Sequence, residues 1–258
     1  MLFRRIAWLI AWLIAMLFCL HASASDLPTL ANRLPRPLPV LDVGYYEFPP
    51  YTYTAPDGST RGSGADLVRR ILLKAGYRAN FRSLPSARLY LGLQDGSVQL
   101  WAGAPGKPEL VGSTLECERT LGHVDLNLYR LPSHAAPRLP QGLTGSRIIL
   151  ISGYSYWKPI TDLLDDPHLK LELHRTSTHV AALQMLERDR GDYLIDYQAP
   201  VEQARRELNM APLAFDTLYS VPTKLIVSRH APDAERLREQ LDHAYDELQA
   251  AGYEMQLP

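Results

Sequence analysis

Cysteine is almost absent from this chain: its 258 residues include two, Cys19 and Cys117. Cys19 falls in an apolar leader, so the remainder keeps one thiol and no internal disulfide is available to it. Cys117 stands between Glu116 and Glu118. Neighbouring carboxylates raise a thiol pKa, which argues against a nucleophilic role. An excess of basic charge is also missing. Lys and Arg number 27 against 28 Asp and Glu, a net charge of −1. No basic stripe marks a nucleic-acid partner. Beyond the leader, no apolar run approaches the roughly 20 residues of a membrane-spanning helix. The eight histidines show no HExxH or paired-ligand spacing. His174 and His179, five apart across a strand-to-helix turn, make a poor chelate. The G-x-S-x-G elbow, the Walker loop and the dinucleotide fingerprint are all lacking. Neither a metal nor another cofactor is expected.

What is present begins with an export signal over residues 1–24. Arg4 and Arg5 precede an apolar run from Ile6 to Leu20, and Ala22-Ser23-Ala24 supplies the small-x-small pattern of a cleavage site. Ser25 and Asp26 are polar, so no stop-transfer pattern follows. Phe18 before Cys19 argues against a lipoprotein. The alternative is an uncleaved N-terminal anchor. With cleavage, no segment of the remaining chain is expected in a membrane.

Residues 25–39, with Pro28, Pro35, Pro37 and Pro39, read as an extended lead-in. From Val40 the grammar is strand, helix, strand. Val40–Gly44 is a strand and Tyr45–Tyr53 an aromatic, proline-bearing loop. Asp66–Lys74 is a helix ended by Gly76, and Arg78–Arg82 a strand, which together form a βαβ unit. Ala87–Gln94 is a helix, Val98–Trp101 a strand, Gly106–Gly122 unpatterned, and Asp125–Arg130 extended. After Pro132 a second block repeats the alternation. It has strands at Arg147–Ile151, Leu169–Leu173, Tyr193–Ile195 and Lys224–Val227. Its helices are Trp157–Leu164, His179–Arg188, Pro200–Glu207 and Ala234–Ala250. Leu237, Leu241, Ala244 and Leu248 give the last helix one apolar face. Two α/β blocks predict two lobes with a cleft between them. In open α/β sheets the ligand sits beyond the carboxyl ends of strands.

The order of several short motifs resembles the family 3 periplasmic solute-binding proteins, whose members include amino-acid receptors of ABC importers. The motifs are Leu41-Asp42-Val43-Gly44, Phe48-Pro49-Pro50-Tyr51, Asp57-Gly58 and Gly62-Ser63-Gly64-Ala65-Asp66-Leu67. Leu89, Leu93, Gly96 and Val98 follow, then Gly153-Tyr154-Ser155, Leu186 to Tyr193, and Ala250-Ala251-Gly252-Tyr253. The resemblance spans roughly residues 40–255 and no single motif is specific. It implies an α/β, two-lobed, type II periplasmic-binding-protein fold, each lobe a mostly parallel sheet flanked by helices. The expected division is 40–128 plus 223–258 for the first lobe and 129–222 for the second, with hinges near Leu126–Leu131 and Ser220–Val227. The expected function is periplasmic capture of a small polar solute, an amino acid or a related compound, by a monomer that serves an ABC permease. An orphan ligand sensor and a cyclohexadienyl dehydratase-like enzyme are the alternatives; no catalytic residue is assigned. The sequence departs from the family where amino-acid receptors place a carboxylate-binding arginine. Gly106-Lys107-Pro108-Glu109-Leu110 holds none, and Lys107 lacks the guanidinium fork.

The candidate ligand-binding residues each carry a plainer reading beside the functional one. Tyr46 and Tyr51 are stacking surfaces or loop anchors. Glu47 binds a cationic group or is solvated. Arg88 replaces the missing arginine or covers its own helix. Gly103 and Ala104 admit a ligand to the backbone or form a tight turn. Tyr154 and Ser155 precede a helix whose N-terminus favours an anion, with Ser155 as an ordinary cap in the plainer reading. Asp196 is assigned to a ligand ammonium by the resemblance. Asp192 reads as turn chemistry, and Thr176-Ser177-Thr178 as a cap.

Overall fold

The computed structural model describes residues 37–257. The expected export signal and the lead-in up to residue 36 lie outside the described residues.

Strand β1 (Val40–Tyr45) pairs in parallel with both β4 (Arg78–Ser83) and β5 (Leu100–Gly103). Parallel neighbours need a long crossover. Helices α1 (Ser63–Lys74) and α2 (Ser86–Asp95) provide it. A small antiparallel pair, β2 (Tyr53–Thr54) with β3 (Thr60–Arg61), lies between β1 and α1. The second half repeats the arrangement. Strand β7 (Arg147–Ile151) pairs in parallel with β8 (Glu172–Thr176) and β9 (Tyr193–Tyr197). Its helices are α3 (Lys158–Asp165), α4 (His179–Glu187) and α5 (Gln198–Glu207).

The halves share one long antiparallel ribbon, β6 (Thr114–Arg130) with β10 (Ala214–Ser228). At one end Lys224–Val227 of β10 pairs with β5. At the other, Leu126–Tyr129 of β6 pairs with β9. The sheet order is therefore β4-β1-β5-β10-β6-β9-β7-β8. This is the expected α/β fold, with the ribbon passing from one half to the other. The ribbon is longer than its sequence pattern. Only Asp125–Arg130 and Lys224–Val227 read as strands, because charged residues and Gly122 interrupt the rest. Leu115 and Cys117 are nevertheless buried while Glu116 and Glu118 face out. Similarly, the strand expected at Leu169–Leu173 forms at Glu172–Thr176, where its register against β7 is fixed.

Each half has a core on both faces of its sheet. In the first, Leu41, Val43, Ile71, Leu72, Leu225 and Leu241 cluster on one face. Leu89, Leu93, Val98, Trp101 and Ile226 cluster on the other. Helix α6 (Ala234–Ala250) buries Leu237, Leu241, Ala244 and Leu248, its expected apolar face. In the second half Leu150, Ile160 and Ile195 pack on one face, and Ile149, Leu183 and Leu194 on the other. Cys117 sits in the first core and its thiol pKa is raised, chiefly by burial and next by Asp242. The flanking glutamates lie on the opposite face of the strand, and Glu118 is the smallest of the causes.

Candidate functional site

The loop after β1 is pinned by backbone contacts before its aromatics do anything else. Tyr51 carbonyl oxygen accepts from Gly64 N at 2.8 Å and from Ala65 N at 3.2 Å, the first turn of α1. Gly62 makes this approach possible. Its φ is +113°, and a Cβ there would lie 2.3 Å from Tyr51 carbonyl oxygen. The loop so held turns Tyr46 and Phe48 toward the second half. The Tyr46 and Tyr154 rings are 5.4 Å apart, Phe48 and Tyr197 5.3 Å, and Tyr154 and Tyr197 5.6 Å. Trp101 backs Tyr46 at 6.0 Å. Burial pushes the phenol pKa of Tyr46, Tyr154 and Tyr197 well up, and that of Tyr90 to about 12. All four stay protonated at neutral pH and remain hydrogen-bond donors.

Polar contacts cross between the halves beside this aromatic wall. Ser86 Oγ donates to Gly153 carbonyl oxygen. Lys107 Nζ donates to Ser155 carbonyl oxygen at 2.6 Å and lies 3.8 Å from the centre of the Trp157 ring. Trp157 Nε1 returns a bond to Pro105 carbonyl oxygen at 3.0 Å. Lys107 is only 3% exposed, and burial lowers its pKa to about 8. The Gly153–Ser155 segment thus offers carbonyls to the first half. Helix α3 begins later, with Trp157 as its N-terminal flanking residue, so Ser155 is not its cap. Ser155 Oγ is buried with no partner in hydrogen-bonding geometry, and the Tyr90 hydroxyl is its electrostatic neighbour.

A cavity of about 940 Å³ opens next to the contact. The first half lines it with Tyr46, Glu47, Pro49, Tyr53 and Leu84 among others. The second half contributes Ile151, Tyr154, His179, Val180 and Glu207. A smaller void of about 50 Å³ lies on the ribbon side, lined by Tyr46, Tyr51, Trp101, Gly103, Ala104 and Tyr197.

Asp196 does not reach either space. It is fully buried, its Oδ1 accepts from Tyr197 N at 2.8 Å, and its Oδ2 lies 2.7 Å from His179 Nδ1. An ionised carboxylate in this place accepts from Nδ1. His179 Nε2 then points to the Tyr154 hydroxyl at 3.4 Å, on the wall of the larger cavity. The pairing register sets Asn127 opposite Asp196. Asn127 Nδ2 donates to the Tyr129 hydroxyl at 3.0 Å, while its Oδ1 is buried without a partner.

The expected residues therefore divide. Tyr46, Glu47 and Tyr154 line the larger cavity, while Tyr51, Gly103 and Ala104 line the smaller one. Glu47 is already engaged, accepting from Thr54 N at 2.9 Å, Thr54 Oγ1 at 2.6 Å and Ser83 Oγ at 2.7 Å. A Cβ at Gly103 would meet the Trp101 ring at 2.0 Å, so that ring fills the space the glycine leaves. Arg88 is exposed on α2, away from the lining of both spaces. His179 is the residue that sequence reasoning passed over, because its partner is remote in the chain. Asp192 is structural, accepting from Arg147 N at 2.7 Å and from its guanidinium at 2.6 Å. His134, Asp189 and Asp192 bring metal-ligating atoms together, but Arg147 already occupies both carboxylates. Thr178 caps α4, its side chain accepting from Ala181 N at 3.1 Å.

No family model matches the sequence, and no curated protein matches it. Solved structures do resemble the fold. A histidine kinase sensor domain with similarity to periplasmic binding proteins is 17% identical over 83% of this chain and 91% of that one, with a TM-score of 0.69. An ancestral arginine-binding protein bound to arginine is 19% identical over 83% and 93%, also at 0.69. An ancestral amino-acid-binding protein, a precursor of cyclohexadienyl dehydratase, is 13% identical over 83% and 90%, at 0.66. The chain has the two-lobed periplasmic-binding-protein fold.

Proposed function

We propose that the protein captures a small solute between its two lobes, residues 40–128 with 223–258 forming one and residues 129–222 the other. The observation that carries this reading is the 940 Å³ cavity, whose walls come from both halves of the sheet and meet at Tyr46 and Tyr154. Its volume suits a small molecule. A ligand touching both walls favours the closed arrangement over an open one, which is what drives hinge closure. In this reading the N-terminal segment is an export signal, the protein works in the periplasm as a monomer, and it hands its solute to an ABC permease. The amino-acid-binding structures of the same fold support a solute of that size. The ligand contacts in this reading are Tyr46, Glu47 and Tyr154 in the larger cavity and Tyr51, Gly103 and Ala104 beside the smaller void, with Ser155, Arg88 and Asp196 reached only after rearrangement.

The sensor domain of this fold supports signalling as a second destination for the same binding event. A thermal-shift screen of amino acids, polyamines, organic acids and sugars tests capture directly, since a ligand that binds the folded state raises the melting temperature. No shift across that screen overturns the reading. Turnover of prephenate or arogenate by the purified protein would replace it with the dehydratase-like one.

A further inference from the structure

The charged side chains at the wall of the larger cavity are acidic. One half contributes Glu47 and the other Glu207, and no lysine or arginine is among the described residues that line the space. Glu47 accepts from Thr54 N at 2.9 Å, Thr54 Oγ1 at 2.6 Å and Ser83 Oγ at 2.7 Å. All three donors are neutral, so they fix the carboxylate in place and leave its charge unmet. Only one of the three bonds falls on Oε2, which keeps room for another donor. Glu207 is exposed at the C-terminal end of α5, where the helix dipole adds to its negative charge. Arg205 and Arg206, beside it in sequence, lie outside the lining and bond Glu202 and Gln203 instead.

The positive counterweights are smaller. The first turns of α2 and α4 reach the wall at Ser86, Ala87, His179 and Val180. A helix N-terminus carries about half an elementary charge, against a full one on each carboxylate. Thr178 Oγ1 already takes one N–H of α4. His179 stands 2.7 Å from Asp196, which offsets any charge the imidazole carries. Lys107 is buried and engaged by Ser155 carbonyl oxygen and the Trp157 ring.

A ligand carboxylate therefore meets no cationic side chain here and two charges of its own sign, and burying it unpaired is costly. An ammonium or guanidinium group meets the reverse. Each half offers it a carboxylate for a charge-assisted hydrogen bond. Tyr46, Tyr53 and Tyr154 line the same space, and the face of a tyrosine ring attracts a cation. Because the two carboxylates come from opposite halves, a cation bound to both supplies the extra contact that favours the closed arrangement.

We infer that the solute is an organic amine or guanidine that carries no carboxylate, held by Glu47 from one lobe and Glu207 from the other beside the tyrosine rings. The inference rests on the capture reading and names its solute class.

The test compares amines with the amino acids that differ from them by one carboxylate: cadaverine with lysine, agmatine with arginine, and tyramine with tyrosine, with 3-(4-hydroxyphenyl)propionate as the carboxylate without an amine. The expected result is a rise in melting temperature of at least about 5 °C for one of the amines near a hundredfold excess over its Kd. Its amino-acid counterpart should bind roughly tenfold more weakly or worse by calorimetry. Glu47→Gln should weaken amine binding roughly tenfold, and the more exposed Glu207→Gln about threefold. Raising NaCl from about 0.05 to about 0.5 M should weaken it as well. Glu207 makes no hydrogen bond or ion pair among the described residues, so its variant keeps the test decisive if Glu47→Gln disturbs the loop around Thr54. A shift from an amino acid or from the propionate that equals or exceeds the shift from the amines overturns the inference and leaves capture standing. A silent amine series overturns it too, and the broader solute screen then decides capture separately. Amine affinity unchanged in both glutamine variants and in high salt also overturns it.

Discussion

His179 Nδ1 lies 2.7 Å from Asp196 Oδ2, and the carboxylate behind that bond is entirely closed to solvent. The pair joins the first residue of α4 to the strand β9. It also withdraws from the cleft the one aspartate that the sequence offers to a ligand ammonium. Removing one member of a buried pair leaves the other without its partner. Asp196→Ala should therefore destabilise the fold by about 3 kcal/mol, a fall in melting temperature of roughly 6–12 °C for a domain of this size. A fall of under about 1 °C would mean that the pair contributes nothing net.

Lys107 gives a pH signature. Its pKa in the fold is about 8, below the ordinary 10.5, because burial disfavours the ammonium. Above about pH 8 the folded protein loses this proton while the unfolded chain retains it. The unfolded state then binds more protons, so stability rises with pH until the unfolded lysine also titrates. Below the folded pKa both states are charged and this group adds no slope. Melting temperature measured from pH 7 to 10 should carry this rising component in the wild type and lack it in Lys107→Met. Parallel curves would contradict the assignment.

Asp192 acts with the opposite sign. Hydrogen bonds from Arg147 hold its carboxyl below the usual range. The stabilisation it supplies is full above the ordinary aspartate pKa and is lost as pH falls through the lower folded value. Both partners are partly exposed, which discounts the pair to about 1 kcal/mol. Asp192→Asn should lower the melting temperature at pH 7 by about 2–4 °C, and the difference should shrink as pH falls below the ordinary aspartate range. A gap that persists at low pH would show that its hydrogen bonds matter and its charge does not.

Cys117 is 1% exposed, and burial raises its thiol pKa. A thiolate-directed reagent should leave the native protein unlabelled over hours at pH 8 and label it rapidly in denaturant. Prompt labelling under native conditions would contradict the packing around β6 and α6.

The regular parts of the fold were legible because they are local. The apolar spacing of Leu237, Leu241, Ala244 and Leu248 marks α6 to the residue, and Arg147–Ile151 reads correctly as β7. The long ribbon was legible only at its two ends, where it joins β5 and β9, since cross-strand pairing between Thr114 and Ser228 leaves no periodic trace. The site shows the same limit. Tyr46 and Tyr154 stand out as loop aromatics after strands. His179 does not, because its meaning depends on Asp196, placed beside it by packing α4 on β9. Lys107 was visible as a substitute cation, but its burial against Trp157 belongs to the contact between halves.

The account depends on a solute held in the cavity whose walls meet at Tyr46 and Tyr154. Calorimetric titration of the best solute from the thermal-shift screens into wild type and Tyr46→Ala measures this directly. Loss of one aromatic wall should raise Kd at least roughly tenfold, in line with the apolar area and ring contact removed. Equal affinity in the two proteins would place the ligand elsewhere and contradict the account.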